Sequence, residues 1–106
     1  MSEVKKIEGY DNYEVSKDGR VYNSRTKKYI NGSKDNHGYV LITLSKNNKP
    51  KAHMLHRLVA RSFLENPNNK EIVKHRDGDN SNNDVSNLYW MSFQEIQVHN
   101  WGINQK

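Results

Sequence analysis

The spacing of apolar residues changes near residue 55, and this change restricts the folds that the chain can adopt. Before it, apolar and polar residues alternate in short runs, most clearly over residues 39–45, as expected for strands. From Leu55 to Phe63 the apolar residues recur at helical spacing. Asn66-Pro67 is predicted to end this helix, because proline disfavours helical geometry in the residue before it. The sequence therefore predicts an α+β fold whose first part is rich in strands.

The first half of the chain is predicted to form antiparallel hairpins. Residues 13–16 and 20–23 alternate on either side of Lys17-Asp18-Gly19, which is typical of a tight turn. Residues 27–30 are a weaker candidate strand. A polar turn over residues 46–49 then leads into a short strand that ends at His53.

The second half predicts a strand, a long polar loop, a second strand and a helix. The strands are expected at residues 72–75 and 87–91, and the loop between them is dense in Asp, Asn, Ser and Gly. Ser92 and Glu95 have the spacing of a capping box, so a helix is expected to begin there and to run to about Asn100. The predicted order is ββα.

Composition narrows the classes of protein that are possible. Apolar residues are only 33% of the 106 residues, which predicts a thin core in one domain or in two small modules. The chain has no cysteine, which excludes disulfides and thiolate zinc sites. No apolar run approaches the roughly 20 residues of a membrane span, and no signal peptide is evident, so an intracellular protein without a membrane partner is expected.

The net charge of +5 lies in the first half of the chain. Residues 1–52 contain eleven Lys/Arg and six Asp/Glu, whereas residues 53–106 contain six of each. A cationic surface attracts phosphate without reading sequence. The alternative, in which these side chains only solvate an exposed sheet edge, stays open. The candidate nucleic-acid contacts are Arg20, Arg25, Lys27 and Lys28 in this half, with Lys74 and Arg76 in the second half.

Two motifs in the second half resemble the HNH homing endonucleases of phages. Residues 74–83 read KHRDGDNSNN, similar to the family pattern (Asn/Asp)-His-x-Asp-Gly-Asn. Residues 87–90 read NLYW, similar to its Asn-Leu-x-Trp motif, and residues 55–60, LHRLVA, resemble the helix that packs beside the site. The resemblance implies a ββα-metal fold over residues 53–106, the HNH-like domain.

A third group of motifs resembles the nuclease-associated module that precedes such domains. It comprises IEGY at residues 7–10, YEVS at residues 13–16 and GRV at residues 19–21. Residues 1–52 are therefore expected to form a β-rich DNA-binding module. With this group the resemblance covers about residues 7–100.

The resemblance implies a chemistry for the site. The partner would be double-stranded DNA, and the cofactor of an active enzyme would be a divalent cation, Mg²⁺ or Mn²⁺. His75 would be the general base that activates water, and Asn87 would orient it. The cation would be held by the residue before His75 and by a residue of the final helix.

Both of these metal positions depart from the family pattern. Lys74 has an ammonium group where the family has a ligand oxygen, and Ile96 has no ligand atom. His99, almost one turn beyond Ile96, is a possible substitute, whereas Gln97 would need a shifted helix register. Lys74 could instead contact a DNA phosphate.

Two hypotheses follow for the function. In the first, the chain is a DNA-binding HNH-family protein with a degenerate metal site and no cofactor, or a silent inhibitor that binds a protein partner. In the second, it is an active endonuclease with atypical ligands. Lys74 and Ile96 favour the first, and the presence of His75, Asp77, Asn83 and Asn87 favours the second. Either protein is expected in the cytoplasm of a bacterial host, encoded by a phage or mobile element.

Four other side chains have simpler predicted roles. His56 is expected to pack or form a hydrogen bond near the core rather than bind a metal. Trp90 is expected in the core rather than on a base-stacking surface. His37 and His53 are expected at the surface.

Overall fold

A computed structural model describes residues 3–96, which form three antiparallel sheets and one main helix. This confirms the predicted α+β class. The first sheet contains β1 (Val4–Ile7), β2 (Tyr10–Ser16), β3 (Val21–Asn23) and β4 (Lys28–Ile30); the second contains β5 (Ser33–Lys34), β6 (Val40–Lys46) and β7 (Lys49–Met54); the helix is α1 (Leu55–Phe63); the third sheet contains β8 (Ile72–His75) and β9 (Leu88–Met91). A 3₁₀ turn, Val85–Asn87, immediately precedes β9.

The β2–β3 hairpin forms where turn residues were predicted. Gly19 has φ +84°, a conformation that glycine adopts without the steric cost of a Cβ atom. Its backbone N–H donates to the Ser16 carbonyl at 3.0 Å, which closes the turn. Strand β1 was not predicted, because only Ile7 of its four residues is buried and the alternation that identifies a strand is absent.

The β6–β7 hairpin has a two-residue turn. Asn47 and Asn48 have φ values of +54° and +61°, the left-handed pair that a type I′ turn requires and that asparagine tolerates. In β6 the predicted alternation holds, since Ile42 and Leu44 are buried and Thr43 is exposed. The two-residue strand β5 was not predicted, and both of its residues are exposed.

Helix α1 packs its apolar face against the sheets. Leu55, Leu58 and Val59 are buried, and they join a core drawn from both halves of the chain. The helix ends three residues before the predicted stop at Asn66-Pro67, because Leu64 has extended backbone angles of φ −107° and ψ 124°. Among residues 3–96, no helix has both the length and the apolar content to cross a bilayer.

The ββα order is also observed. Strands β8 and β9 pair with His75 opposite Leu88, and residues 93–96 are helical. The predicted capping box forms: the Glu95 N–H donates to Ser92 Oγ at 3.0 Å, and the Ser92 N–H donates to Glu95 Oε1 at 3.3 Å. The predicted continuation of this helix to Asn100, together with Gln97, His99 and Trp101, lies outside the described residues.

Candidate functional site

His75 lies at the end of β8 and is only 8% exposed. Its Nε2 is 2.9 Å from Oδ1 of Asn83, which is itself buried in the loop between β8 and β9. An amide oxygen can only accept, so Nε2 donates in this hydrogen bond, and in the neutral imidazole Nδ1 then keeps its lone pair. This tautomer is the one that a general base acting through Nδ1 needs.

Asn87 does not make the contact that the resemblance implied. Its side chain accepts from the Asp77 N–H at 3.1 Å and donates to Asp77 Oδ1 and the Asn82 carbonyl, each at 2.9 Å. Asn87 lies in the 3₁₀ turn just before β9, so it faces the start of the loop rather than the imidazole. The hydrogen bond to the His75 ring comes from Asn83, and the role of Asn87 in orienting His75 stays a prediction.

The acidic residues of the loop are used to hold the loop together. Asp77 accepts from Asn82 Nδ2 at 2.9 Å and from the Asp79 N–H at 2.8 Å. The Asn82 hydrogen bond, followed by those from Asp79 and Asn87, lowers the pKa of the Asp77 carboxyl. These carboxylates stabilise the loop in one conformation.

The candidate base, His75, lies in a cluster of rings with Tyr39 and His56. The His56 ring centroid is 5.0 Å from that of His75 and 5.2 Å from that of Tyr39. His56 is 5% exposed, and within the described residues its buried Nδ1 has no hydrogen-bond partner. Burial, followed by His75 and Arg57, lowers the pKa of His56 to about 4, so its ring is neutral near pH 7. The prediction that His56 packs near the core is confirmed, whereas its contact with His75 was not foreseen.

The side chains at the two family metal positions do not fit a divalent cation. Lys74 is exposed, and strand alternation directs it to the opposite face of β8 from His75. Ile96 is half-buried at the start of the last helix. In the chain from residue 3 to residue 96, no three His, Asp or Glu side chains gather where they could hold a metal ion. The proposed substitute, His99, falls beyond this range.

The six candidate DNA-contacting residues are all exposed. Arg20 stacks over the Tyr29 ring at 3.9 Å, and Arg76 lies over Tyr89 at 4.9 Å. The remaining four are Arg25, Lys27, Lys28 and Lys74. Within residues 3–96 none of the six forms a salt bridge with a carboxylate, so their charges are available to an outside anion.

The turn between β3 and β4 presents three of these charges together. Asn23 Oδ1 accepts from the N–H groups of Arg25 and Thr26, at 2.9 and 3.2 Å, which fixes the turn that carries Arg25, Lys27 and Lys28. A polar cleft of about 660 Å³ opens beside Arg25, and Asn47 and Asn48 of the β6–β7 turn line its other side. The tips of separate hairpins thus form one basic, amide-rich surface.

Two minor predictions have different outcomes. His37 is exposed, as expected. His53 is only half-exposed, and its Nε2 lies 2.9 Å from the Tyr10 hydroxyl, so it is a packed residue rather than a free surface residue.

Comparisons with known proteins agree with this geometry. Residues 53–98 match the HNH endonuclease family, and residues 5–45 match the NUMOD4 motif. The DNA endonuclease I-HmuI of Bacillus phage SP01 is 39% identical over 99 residues, and an uncharacterized HNH endonuclease, L245, of Acanthamoeba polyphaga mimivirus is 41% identical over 93 residues. These alignments cover 92% and 88% of this chain, respectively.

A solved structure that concerns DNA binding and cleavage by the HNH homing endonuclease I-HmuI has the same fold. It superposes with a TM-score of 0.85 at 38% identity over 97% of this chain. The chain spans 59% of that structure, 56% of the I-HmuI sequence and 28% of the mimivirus protein.

Proposed function

The chain belongs to the HNH endonuclease family, and on that premise we propose that it is a DNA-binding protein whose family metal site is degenerate. One observation carries the proposal. The scaffold around His75 is complete, with a buried imidazole, an asparagine on Nε2 and an ordered loop. The two ligand positions of the family pattern hold an ammonium group and a hydrocarbon side chain, Lys74 and Ile96.

Binding to double-stranded DNA is supported by the charge that the surface leaves unpaired. One turn and the residue after it carry three of these charges, Arg25, Lys27 and Lys28. Arg20, which stacks over the Tyr29 ring, directly precedes strand β3 of the same sheet. Such contacts reach phosphate oxygens and give affinity with little sequence preference. In this proposal residues 1–52 supply most of the binding and residues 53–106 supply the altered site.

Lys74 acts as a phosphate contact in this proposal. Lys74 directly precedes His75 in the chain, and its ammonium group is exposed and has no carboxylate partner within residues 3–96. A point positive charge attracts a phosphate but offers no coordination site for a water molecule. DNA would therefore be held near the end of β8 without the charge neutralisation that hydrolysis needs.

The expected nuclease activity is very weak. His75 can accept a proton from water through Nδ1. However, the side chains at the two metal-ligand positions of the family do not fit a divalent cation, so no Lewis acid held there stabilises the leaving oxygen or the pentacoordinate phosphate of the transition state. Several kcal/mol of transition-state stabilisation are lost, and each 1.36 kcal/mol is about tenfold in rate. Turnover in an ordinary assay would be undetectable.

The test is plasmid nicking with Mg²⁺ or Mn²⁺ by the unmodified chain and by the double variant Lys74→Asp/Ile96→Asn. The double variant supplies a carboxylate and an amide oxygen and removes the repelling ammonium group. Its rate should exceed that of the unmodified chain by at least about a hundredfold, and His75→Ala should abolish the gain. The matched control Lys74→Ala/Ile96→Leu changes the same positions and removes the ammonium group without supplying any ligand oxygen, and it should stay inactive.

The second candidate function is an endonuclease with atypical ligands, and the intact His75–Asn83 pair favours it. In this case Mg²⁺ or Mn²⁺ would be the cofactor, held in part by residues such as His99. The same assay separates the two candidates. Robust cation-dependent nicking by the unmodified chain, lost in His75→Ala, would reject the degenerate site. In either case we place the protein in the cytoplasm of a phage-infected cell or a cell that carries a mobile element.

A further inference from the structure

The turn between β2 and β3 touches the loop that carries Asn83. The Val85 N–H donates to the Lys17 carbonyl at 2.8 Å, which joins the two halves of the chain by a backbone hydrogen bond. Gly19, in the same turn, has no space for a side chain. A Cβ atom there would lie 2.7 Å from the Asn83 carbonyl oxygen and 3.0 Å from Asn83 Cβ.

Asn83, which Gly19 contacts, is the hydrogen-bond partner of the candidate base. Gly19 meets Asn83, and Asn83 Oδ1 accepts from Nε2 of His75 at 2.9 Å. Asn83 is 5% exposed, so it cannot turn into solvent when its backbone is displaced. A shift of a few tenths of an ångström at Asn83 therefore lengthens its hydrogen bond to the imidazole.

A second contact holds the same loop from the N-terminal half. Asn80 Nδ2 donates to the His37 carbonyl at 2.9 Å. By contrast, the hydrogen bonds of Asp77 and Asp79 stay within the loop and the Asn87 turn, so they shape the loop without setting its place relative to the first sheet.

We propose that the turn Lys17–Gly19 is a positioning element for His75, so that the N-terminal module completes the site in the HNH-like domain. The turn acts through Asn83 and touches no substrate. The importance of His75 rests on the proposed function, whereas the positioning itself is a property of the free protein. The test therefore uses the free protein and measures the His75 ring.

The main comparison is between Gly19→Ala and Gly9→Ala. The two glycines have nearly identical φ values, +84° and +85°, so both substitutions carry the same backbone strain. Only Gly19 has atoms in the way, because nothing lies within 4 Å of a Cβ at Gly9. A difference between the variants therefore reports the displacement of Asn83.

The readout is long-range ¹H–¹⁵N NMR of the imidazole, which reports the tautomer and the exchange rate of the Nε2 proton. His75 should be the Nε2–H tautomer in the unmodified chain and in Gly9→Ala. In Gly19→Ala the tautomers should mix and the Nε2 proton should exchange about tenfold faster, as when a hydrogen bond of ordinary strength is lost. Asn83→Ala is the positive control and should give the same change.

A second variant addresses the turn without adding bulk, in case Gly19→Ala fails to fold. Val85→Pro removes the N–H that donates to Lys17. Proline is tolerated at the first position of a helical turn, and the preceding Asp84 already has the extended angles φ −62° and ψ 138° that proline requires. It should shift the His75 signal in the same direction as Gly19→Ala.

The proposal is overturned if the His75 tautomer and exchange rate in folded Gly19→Ala or in Val85→Pro equal those in Gly9→Ala while Asn83→Ala changes them. Failure of the proposed function would look different. It would show as nicking by the unmodified chain, or as absence of DNA binding, with the NMR result unaffected.

Discussion

An asparagine on one ring nitrogen determines which nitrogen of a histidine stays free to act as a base. Here that residue is Asn83, at 2.9 Å from His75 Nε2. The loop also contains Asn80 and Asn82, and Asn87 follows it. Residue type does not distinguish these four amides, so the choice depends on where the backbone of the folded loop places each one.

The buried His56 predicts how stability depends on pH. In the unfolded chain its pKa is near the ordinary value of about 6.5. In the folded chain burial, His75 and Arg57 lower the pKa to about 4. Between these values the unfolded state binds more protons, so stability is complete above about pH 6.5 and falls as the pH decreases towards 4. The loss should be roughly 3 kcal/mol.

Urea unfolding of the unmodified chain and of His56→Leu from pH 7.5 to 4 measures this effect. The pH-dependent loss should be smaller in His56→Leu by about the stated amount, whatever its stability at pH 7.5. His37→Gln is the matched control, since His37 is exposed, and its curve should parallel that of the unmodified chain. Parallel curves for all three proteins would show that His56 is not the group that titrates.

At the scale of elements, the aromatic side chain of Trp90 joins strand β9 to the end of helix α1. Trp90 packs against the buried core, and its Nε1–H donates to the Leu64 carbonyl at the end of α1 at 3.3 Å. Its indole is half-buried rather than fully enclosed, because the ring bridges the strand and the helix end at the edge of the core. The prediction of a packing role is confirmed with this difference.

Trp90→Ala should lower the free energy of unfolding by about 3 kcal/mol, at the low end of the range for large aromatic truncations, since the side chain is only half-buried. The measurement is urea unfolding followed by circular dichroism. Phe93→Ala is a suitable control, because Phe93 is 60% exposed and its truncation should change stability by less than about 0.5 kcal/mol. Equal stability of the two variants would show that Trp90 does not join β9 to the core.

At the scale of the whole molecule, charge and site are divided between the two halves. The excess of +5 falls in residues 1–52, and the imidazole cluster contains two residues of the second half, His56 and His75, with Tyr39 from the first. In the proposed function, DNA would be attracted by one half, whereas the altered site lies in the other.

Neutralising Arg25, Lys27 and Lys28 together with glutamine should weaken DNA binding for all sequences and flatten its salt dependence. Each lost phosphate contact lowers the slope of log K against log [salt] by about 0.9. Fluorescence anisotropy with several unrelated duplexes over a salt series measures both quantities.

The control removes three charges of the second sheet that do not line the cleft beside Arg25, Lys34 of β5 and Lys49 and Lys51 of β7. If binding is localised at the β3–β4 turn, the salt dependence of log K should fall less in this variant than in the variant of Arg25, Lys27 and Lys28. An equal loss of slope in the two variants would mean that overall charge, and not this turn, holds the DNA.

Sequence alone determined the class of fold and most of the elements. Alternation and turn residues were sufficient for the β2–β3 and β6–β7 hairpins, and helical spacing for α1, because these signals are local and strong. Strands β1 and β5 could not be predicted from the sequence, because their stability comes from pairing with neighbouring strands rather than from their own pattern of residues. The identity of His75 as the candidate base also came from the motif.

Tertiary structure decided the contacts that order the site. Asn83 rather than Asn87 meets His75, and His56 from α1 packs beside it. Gly19, more than fifty residues earlier in the chain, sets the space available to Asn83. These relations join segments that are distant in sequence, and a pattern within one segment carries no information on distances to another. His75 could be selected from the sequence as the candidate base, whereas the neighbours of its ring were decided by the packing of the two halves against each other.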